Sequence, residues 1–110
     1  MEDPLQFNIY DEHARILCPA CGFPGYAAAP AYNEQGGLSL TICPCCLWEP
    51  GFDDVPSASH NAKGTILSSL RAYRTVWVTD PTWKGGGEPP LDWSGKLQLR
   101  KLFELAPHVR

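Results

Sequence analysis

The sequence predicts a small α+β domain, and three observations support this fold class. Two Cys-x-x-Cys pairs lie in turns rich in proline and glycine, a segment with period-two alternation leads into the second pair, and two helical stripes follow. At 110 residues the chain has the usual size of one compact domain. With 10 glycines and 11 prolines it should contain many loops, which increases the value of a metal cross-link.

Composition divides the predicted single domain, 1–110, into five segments. Residues 1–15 are polar with scattered apolar positions, and we expect a loosely packed N-terminal arm or a short edge strand. Residues 16–55 contain both cysteine pairs and form the predicted core, in which the pairs are joined by a short antiparallel sheet. The remaining segments are a helix over 64–77, a flexible Gly/Pro loop over 82–92 and a C-terminal helix over 93–106.

A β-strand is predicted directly before the second cysteine pair. Leu38, Leu40 and Ile42 alternate with hydroxylated residues, so all three would lie on one face of a half-buried strand. Gly36-Gly37 precedes this segment and is typical of a turn that reverses the chain.

Two amphipathic helices are predicted in the second half of the chain. Apolar residues at spacings of three and four indicate a helix from about Thr65 to Trp77. Ser94 is a suitable N-cap for a second helix that ends near Leu105. The two apolar stripes consist of Ile66, Leu70, Tyr73 and Trp77, and of Leu99, Leu102, Phe103 and Ala106.

The cysteine pairs have the spacing of a four-sulfur metal site. Cys18 and Cys21 form the first pair, Cys43 and Cys46 form the second, and 21 residues separate the two pairs. A turn with two intervening residues points both sulfurs of a pair to one side, where backbone N–H groups can stabilise the thiolates. Four thiolates without histidine or carboxylate favour one structural Zn²⁺ in a closed tetrahedral site.

Alternatives to this assignment remain open from the residues alone. The thiols could be unligated or form redox pairs, and iron could occupy a four-sulfur site. Cys45 could replace Cys46 as a ligand, although a Cys-x-Cys pair would provide a poorer two-sulfur grip. Gly22 follows the first pair and suits a left-handed backbone, whereas Leu47 stands at the equivalent position of the second pair.

Charge and composition argue against several classes of protein. Four thiolates around one divalent ion carry a net charge of −2, which takes the formal charge from −3 to about −5. This acidic balance argues against nucleic-acid binding. Because no apolar stretch suits a signal peptide or a membrane span, we expect a cytoplasmic protein whose cysteines are thiols or metal ligands. No triad-like or phosphate-loop motif is present, so we expect no catalysis.

The segments Cys18-Pro-Ala-Cys-Gly22 and Ile42-Cys-Pro-Cys-Cys-Leu-Trp-Glu49 resemble the bacterial cysteine-rich CPCC family over about residues 16–77. The resemblance implies a zinc-ribbon-like domain in which the two cysteine pairs bind the metal, and it implies no particular activity. Two positions depart from the family pattern. Leu47 stands where the family has an aromatic residue, and Pro50 follows Glu49 where the family has an acid.

A non-catalytic protein-interaction module is the function that these features favour. Zinc would rigidify the two cysteine turns, which we call knuckles, and an acidic and aromatic surface would bind another protein. An immunity protein that neutralises a cognate toxin is the most specific form of this hypothesis. The alternatives are a nucleic-acid-binding zinc ribbon that uses Arg71, Arg74, Lys96, Arg100 and Lys101, and a redox protein or enzyme with nucleophilic cysteines. The candidate partner-binding residues are Trp48, Glu49, Asp53, Asp54, Trp83 and Trp93.

Overall fold

The computed structural model describes residues 2–79 and 82–110, and within them it has the predicted small α+β composition. Two antiparallel sheets in the first third of the chain are followed by two helices. The first sheet contains β1 (Ile9–Tyr10), β2 (Ile16–Leu17) and β3 (Pro24–Ala27), and the second contains β4 (Tyr32–Asn33) and β5 (Gly36–Gly37). Helix α1 spans Ile66–Thr79, α2 spans Gly95–Leu105, and short 3₁₀ turns span Pro4–Phe7 and Pro107–Val109.

The three-stranded sheet forms the base of the first cysteine pair. Strand β2 lies in the centre and pairs on one side with β1, so that Ile9 is opposite Leu17. On its other side β2 pairs with β3, where Ile16 is opposite Ala27. The chain passes from β2 directly into Cys18 and returns from the cysteine turn into β3. The sheet therefore fixes both ends of that turn.

The N-terminal segment contains the expected edge strand, but it is not a loosely packed arm. Phe7 is completely buried, and its ring lies 5.7 Å from that of Tyr32. The carboxylate of Glu2 accepts hydrogen bonds from the backbone N–H groups of Ile66 (2.7 Å) and Leu67 (3.0 Å). These are unpaired donors at the start of α1, so Glu2 caps that helix from a distant part of the sequence. Isolated apolar positions in a polar stretch gave no signal of this packing.

The predicted strand over Leu38 to Ile42 is wrong. The two glycines expected in a turn form β5 instead, and they pair with β4 around a tight turn at residues 34 and 35. Ser39 then adopts a left-handed backbone with φ 57°, which ends the ladder. The segment continues beyond Ser39 without a strand partner, and Leu40 is 85% exposed. The period-two pattern therefore marks a strand-like sequence that has no partner within the described residues.

Both helices lie where the apolar stripes predict them, with boundaries that differ by one or two residues. In α1 the stripe buries Ile66, Leu70 and Trp77 in the common core, and in α2 it buries Leu102. Ser94 is the N-cap of α2, since its hydroxyl accepts a hydrogen bond from the backbone N–H of Leu97. The helices thus form one wall of the core, and the cysteine turns lie against it.

Phe7→Ala should destabilise the protein by about 3–5 kcal/mol, because it leaves a cavity beside Tyr32. Urea denaturation followed by tryptophan fluorescence measures this change in the free energy of unfolding. Tyr10→Ala is the matched control: this ring is 49% exposed in the same segment, and its removal should change stability by about 0.5 kcal/mol or less. Equally small losses in the free energy of unfolding for Phe7→Ala and Tyr10→Ala would show that the N-terminal segment is not part of the core.

Candidate metal centre

Four cysteine side chains meet in the interior of the protein. The sulfur atoms of Cys18, Cys21, Cys43 and Cys46 all lie within 4.8 Å of one another, and all four residues are completely buried. The Sγ atoms of Cys18 and Cys46 are 3.8 Å apart, and those of Cys21 and Cys43 are 3.7 Å apart. These distances exclude disulfides, which require about 2.05 Å. Tetrahedral bonds of about 2.3 Å to a central ion would separate the sulfurs by about 3.8 Å, so the cluster could hold one metal ion.

The two cysteine turns have the same backbone geometry. In each turn the first cysteine accepts a hydrogen bond at its carbonyl from the residue four positions later, Gly22 (2.7 Å) or Leu47 (2.9 Å). In each turn the N–H of the first cysteine donates to the carbonyl five positions later, that of Phe23 or Trp48. Two Cys-Pro-x-Cys stretches separated by 21 residues therefore form the same knuckle. Each knuckle presents its two sulfurs to the shared centre.

Both knuckles need a residue with positive φ after the second cysteine. Gly22 supplies it in the first knuckle with φ 87°, as the sequence predicts, and Leu47 has φ 69° in the second. Gly22 has a second role, because a Cβ added there would lie 2.8 Å from the carbonyl oxygen of Gln98. Helix α2 can therefore lie directly on the first knuckle. Leu47 points to a side of the molecule that is more open to solvent, where a side chain fits.

Side chains from both helices bind the outward-facing carbonyls of the knuckles. Arg74 donates to the carbonyls of Pro19 and Ala20, both at 2.7 Å. Gln98 donates from Nε2 to the carbonyl of Cys21 at 3.0 Å, and the hydroxyl of Tyr73 donates to the carbonyl of Cys46 at 2.6 Å. These hydrogen bonds attach the backbone of both knuckles to the helices. These contacts could not be predicted from the sequence, because an isolated polar residue on a helix does not indicate what it contacts.

Burial dominates the electrostatics of the cluster. It raises the pKa of the Cys18 and Cys21 thiols well above their usual range, because a thiolate in this interior is far from water. Four thiolates at these separations would also repel one another strongly. The cluster is therefore a poor host for four negative charges unless a cation lies among them.

Cys45, the fifth cysteine, is buried but lies outside the four-sulfur cluster. Its carbonyl accepts a hydrogen bond of 2.8 Å from the N–H of Lys84, and its sulfur lies 3.5 Å from Nε2 of Gln98. The adjoining Gly85 lies against the carbonyl of Pro44 so closely that a Cβ would not fit. The Gly/Pro loop predicted as a flexible surface segment is thus attached to the tip of the second knuckle.

Two of the six residues predicted to bind a partner are buried, which corrects that part of the prediction. Trp48 is 0% exposed and Asp54 is 7% exposed. The indole N–H of Trp48 donates to the hydroxyl of Tyr32 (3.1 Å), which donates in turn to a carboxylate oxygen of Asp54 (2.9 Å). Burial raises the pKa of the Asp54 carboxyl, although Tyr32 and the N–H of Gly51 both donate to it. This hydrogen-bond chain joins β4 to the second knuckle and its following turn.

The other four predicted partner-binding residues are half-buried. Trp83 packs edge-on against Phe23 and Trp93, with ring centroids 5.2 and 5.9 Å apart. These two tryptophans therefore attach the loop and the start of α2 to the first knuckle. Asp53 accepts a hydrogen bond of 2.7 Å from the backbone N–H of Glu49, so it stabilises the turn after the second knuckle.

Comparison of the chain with models of known protein families, with curated proteins and with solved structures finds no match. Within the residues that the structure describes, no helix has the length and apolar character needed to cross a bilayer. The functional interpretation therefore rests on the geometry of the cluster and the surface around it.

Cys46→Ser should abolish binding of a metal ion and unfold the two knuckles, because a three-sulfur site leaves a buried gap in the coordination shell. Cys45→Ser should retain one metal ion per chain, since Cys45 lies outside the cluster. Elemental analysis of the dialysed proteins and far-UV circular dichroism measure the two effects. Release of the metal by Cys45→Ser alone would show that the ligand set is wrong.

Proposed function

We propose that this chain is a non-catalytic zinc protein in which one structural Zn²⁺, bound by Cys18, Cys21, Cys43 and Cys46, holds a surface that binds another protein. The observation that carries the proposal is the buried cluster of four sulfurs at tetrahedral spacing. Zinc suits a site made only of thiolates, and four sulfurs fill its coordination shell. No position is left for a reactive water, and the buried sulfurs are poorly placed to act as nucleophiles.

The surface around the second knuckle favours an interaction role. Large apolar side chains are exposed along two adjacent segments, which we call the apolar rim. The two segments run side by side, because the N–H of Ser39 donates to the carbonyl of Pro50 and that of Cys43 donates to the carbonyl of Trp48. The apolar rim consists of Leu38, Leu40, Ile42, Leu47 and Phe52. Exposed apolar residues concentrated in one region are typical of binding surfaces.

The backbone of the apolar rim is also available to a partner. Residues 40–42 make no intramolecular backbone hydrogen bond to any part of the chain that the structure describes. Their period-two side chains suit a strand, so an extended segment of another protein could pair with them. Such pairing would use the strand-like sequence that the isolated chain leaves without a partner.

Charge favours a basic partner. Glu34, Glu49 and Asp53 lie in or beside the segments that carry the apolar rim, and the formal charge of the whole chain is −3 before any metal is bound. A second copy of the chain would bring like charges together, whereas a basic protein would be attracted. A basic toxin, neutralised by this chain as its immunity protein, is the most specific partner we propose. The thiol chemistry is compatible with a reducing cytoplasm.

A nucleic-acid-binding zinc ribbon is the weaker alternative. Of the five cations that could form a basic face on the helices, Arg74 is buried, and Lys101 forms an ion pair with Glu12 at 2.7 Å. Arg71 donates to the carbonyl of Arg110. Few cations of the proposed face are left to neutralise phosphates, which supply most of the affinity in non-specific nucleic-acid binding.

The double variant Leu40→Ser/Ile42→Ser tests the interaction surface. We expect zinc-loaded wild-type chain to retain a basic protein from extracts of its host, and the variant to bind the identified partner at least about tenfold more weakly by calorimetry. The matched control is Leu91→Ser/Leu105→Ser, which changes two exposed leucines outside the apolar rim and should bind like wild type. Equal affinity of both double variants, or retention of nucleic acid alone, would contradict the proposal.

A further inference from the structure

Arg74 is a buried cation whose hydrogen-bond partners are all neutral. It lies on α1, is 6% exposed, and directs Nε and Nη2 at the carbonyls of Ala20 and Pro19 in the first knuckle. The carbon of its guanidinium lies 4.9 Å from the ring centroid of Phe103 on α2. Arg74 is therefore held between the first knuckle and the second helix.

No carboxylate among the described residues forms an ion pair with Arg74. The charged groups close to Arg74 are other arginines, which repel its positive charge, and the cysteines of the cluster. Arg71 repels Arg74, and the guanidinium of Arg110 lies over the same Phe103 ring at 5.5 Å. Burial lowers the pKa of Arg74 to about 10, while the cysteines of the cluster oppose that change when they are charged. A buried charge in such a position is unfavourable unless a negative charge lies close to it.

The metal centre provides that negative charge when it is loaded. Four thiolates around a divalent ion would carry a net charge of −2, and Pro19 and Ala20, whose carbonyls Arg74 contacts, lie between the ligands Cys18 and Cys21 in the sequence. We infer that Arg74 is the internal counter-cation of the loaded centre and a positioning residue for it. Through Arg74, binding of the ion is coupled to the packing of α1 and α2 on the first knuckle.

This inference rests on the proposed zinc site and makes a separate claim about it. With the ion bound, the charge of Arg74 is compensated and both helices are held against the knuckle. Without the ion, the first knuckle would lose its cross-link to the second, and the hydrogen bonds from Arg74 would no longer hold the helices against a fixed turn. Removal of the metal should then loosen α1 and α2 as well as the knuckles.

Three variants of the zinc-loaded, 110-residue chain separate charge from hydrogen bonding. Arg74→Met removes both the charge and the hydrogen bonds. Arg74→Lys keeps the charge but cannot donate to two carbonyls in the same way. Arg100→Met removes an exposed cation from α2 and is the matched control. The rate of zinc transfer to a coloured chelator should rise about ten- to hundredfold in Arg74→Met. It should remain near the wild-type rate in Arg74→Lys and Arg100→Met.

Replacement of zinc by iron gives a readout that a purely structural role would not change. In that protein one electron from the electrode reduces Fe³⁺ to Fe²⁺, and a nearby cation favours the more negative, reduced centre. The midpoint potential should therefore fall in Arg74→Met and stay close to wild type in Arg74→Lys and Arg100→Met. Equal potentials in all four proteins, or equal effects of Lys and Met, would overturn the counter-cation role.

Two further outcomes are informative. If Arg74→Met fails to fold, Arg74→Lys is compared with wild type instead. A large change in the rate of zinc release or in the midpoint potential of Arg74→Lys would show that hydrogen-bond geometry, and not charge, determines the effect of Arg74. If wild type itself binds no zinc, the proposed metal site fails, and that result is distinct from a wild-type site that is indifferent to Arg74.

Discussion

Four thiols pack into one buried cluster, and the sheet, the helices and the Gly/Pro loop are all attached to the two turns that supply them. Two knuckles with the same backbone geometry contribute two sulfurs each, and every large element of the fold contacts one of them. The three-stranded sheet fixes the ends of the first knuckle, while α1, α2 and the Gly/Pro loop bind its carbonyls and those of the second. A chain with so few long strands has little else to hold these parts in register. A metal ion bound by the four cysteines would cross-link the two knuckles inside the core.

The sequence was sufficient to predict the features that depend on local pattern. Cysteine spacing predicted the two knuckles, the left-handed Gly22 followed from its place after the pair, and apolar stripes predicted both helices and the Ser94 cap. Each of these depends on residues a few positions apart. The fold class could be inferred from the same local evidence.

The failures come from contacts between residues that are distant in sequence. Glu2 caps a helix that begins 64 positions later, and Trp48 and Asp54 are joined through Tyr32, so none of these roles has a local signature. The segment before Cys43 fails for another reason. Its alternation is that of a strand, yet the left-handed Ser39 ends the ladder, and the described part of the chain offers no neighbouring strand. The interaction surface that we propose is therefore the apolar rim and does not include Trp48 and Asp54, which are buried.

Native mass spectrometry of the purified chain, before and after treatment with a chelator, shows whether the four cysteines hold a structural ion. We expect one zinc ion per chain and a narrow distribution of low charge states, followed by a shift to high charge states once the zinc is removed. A chain that carries no metal and still shows the same compact distribution would contradict it, because the four buried cysteines would then be a packed core without a structural ion.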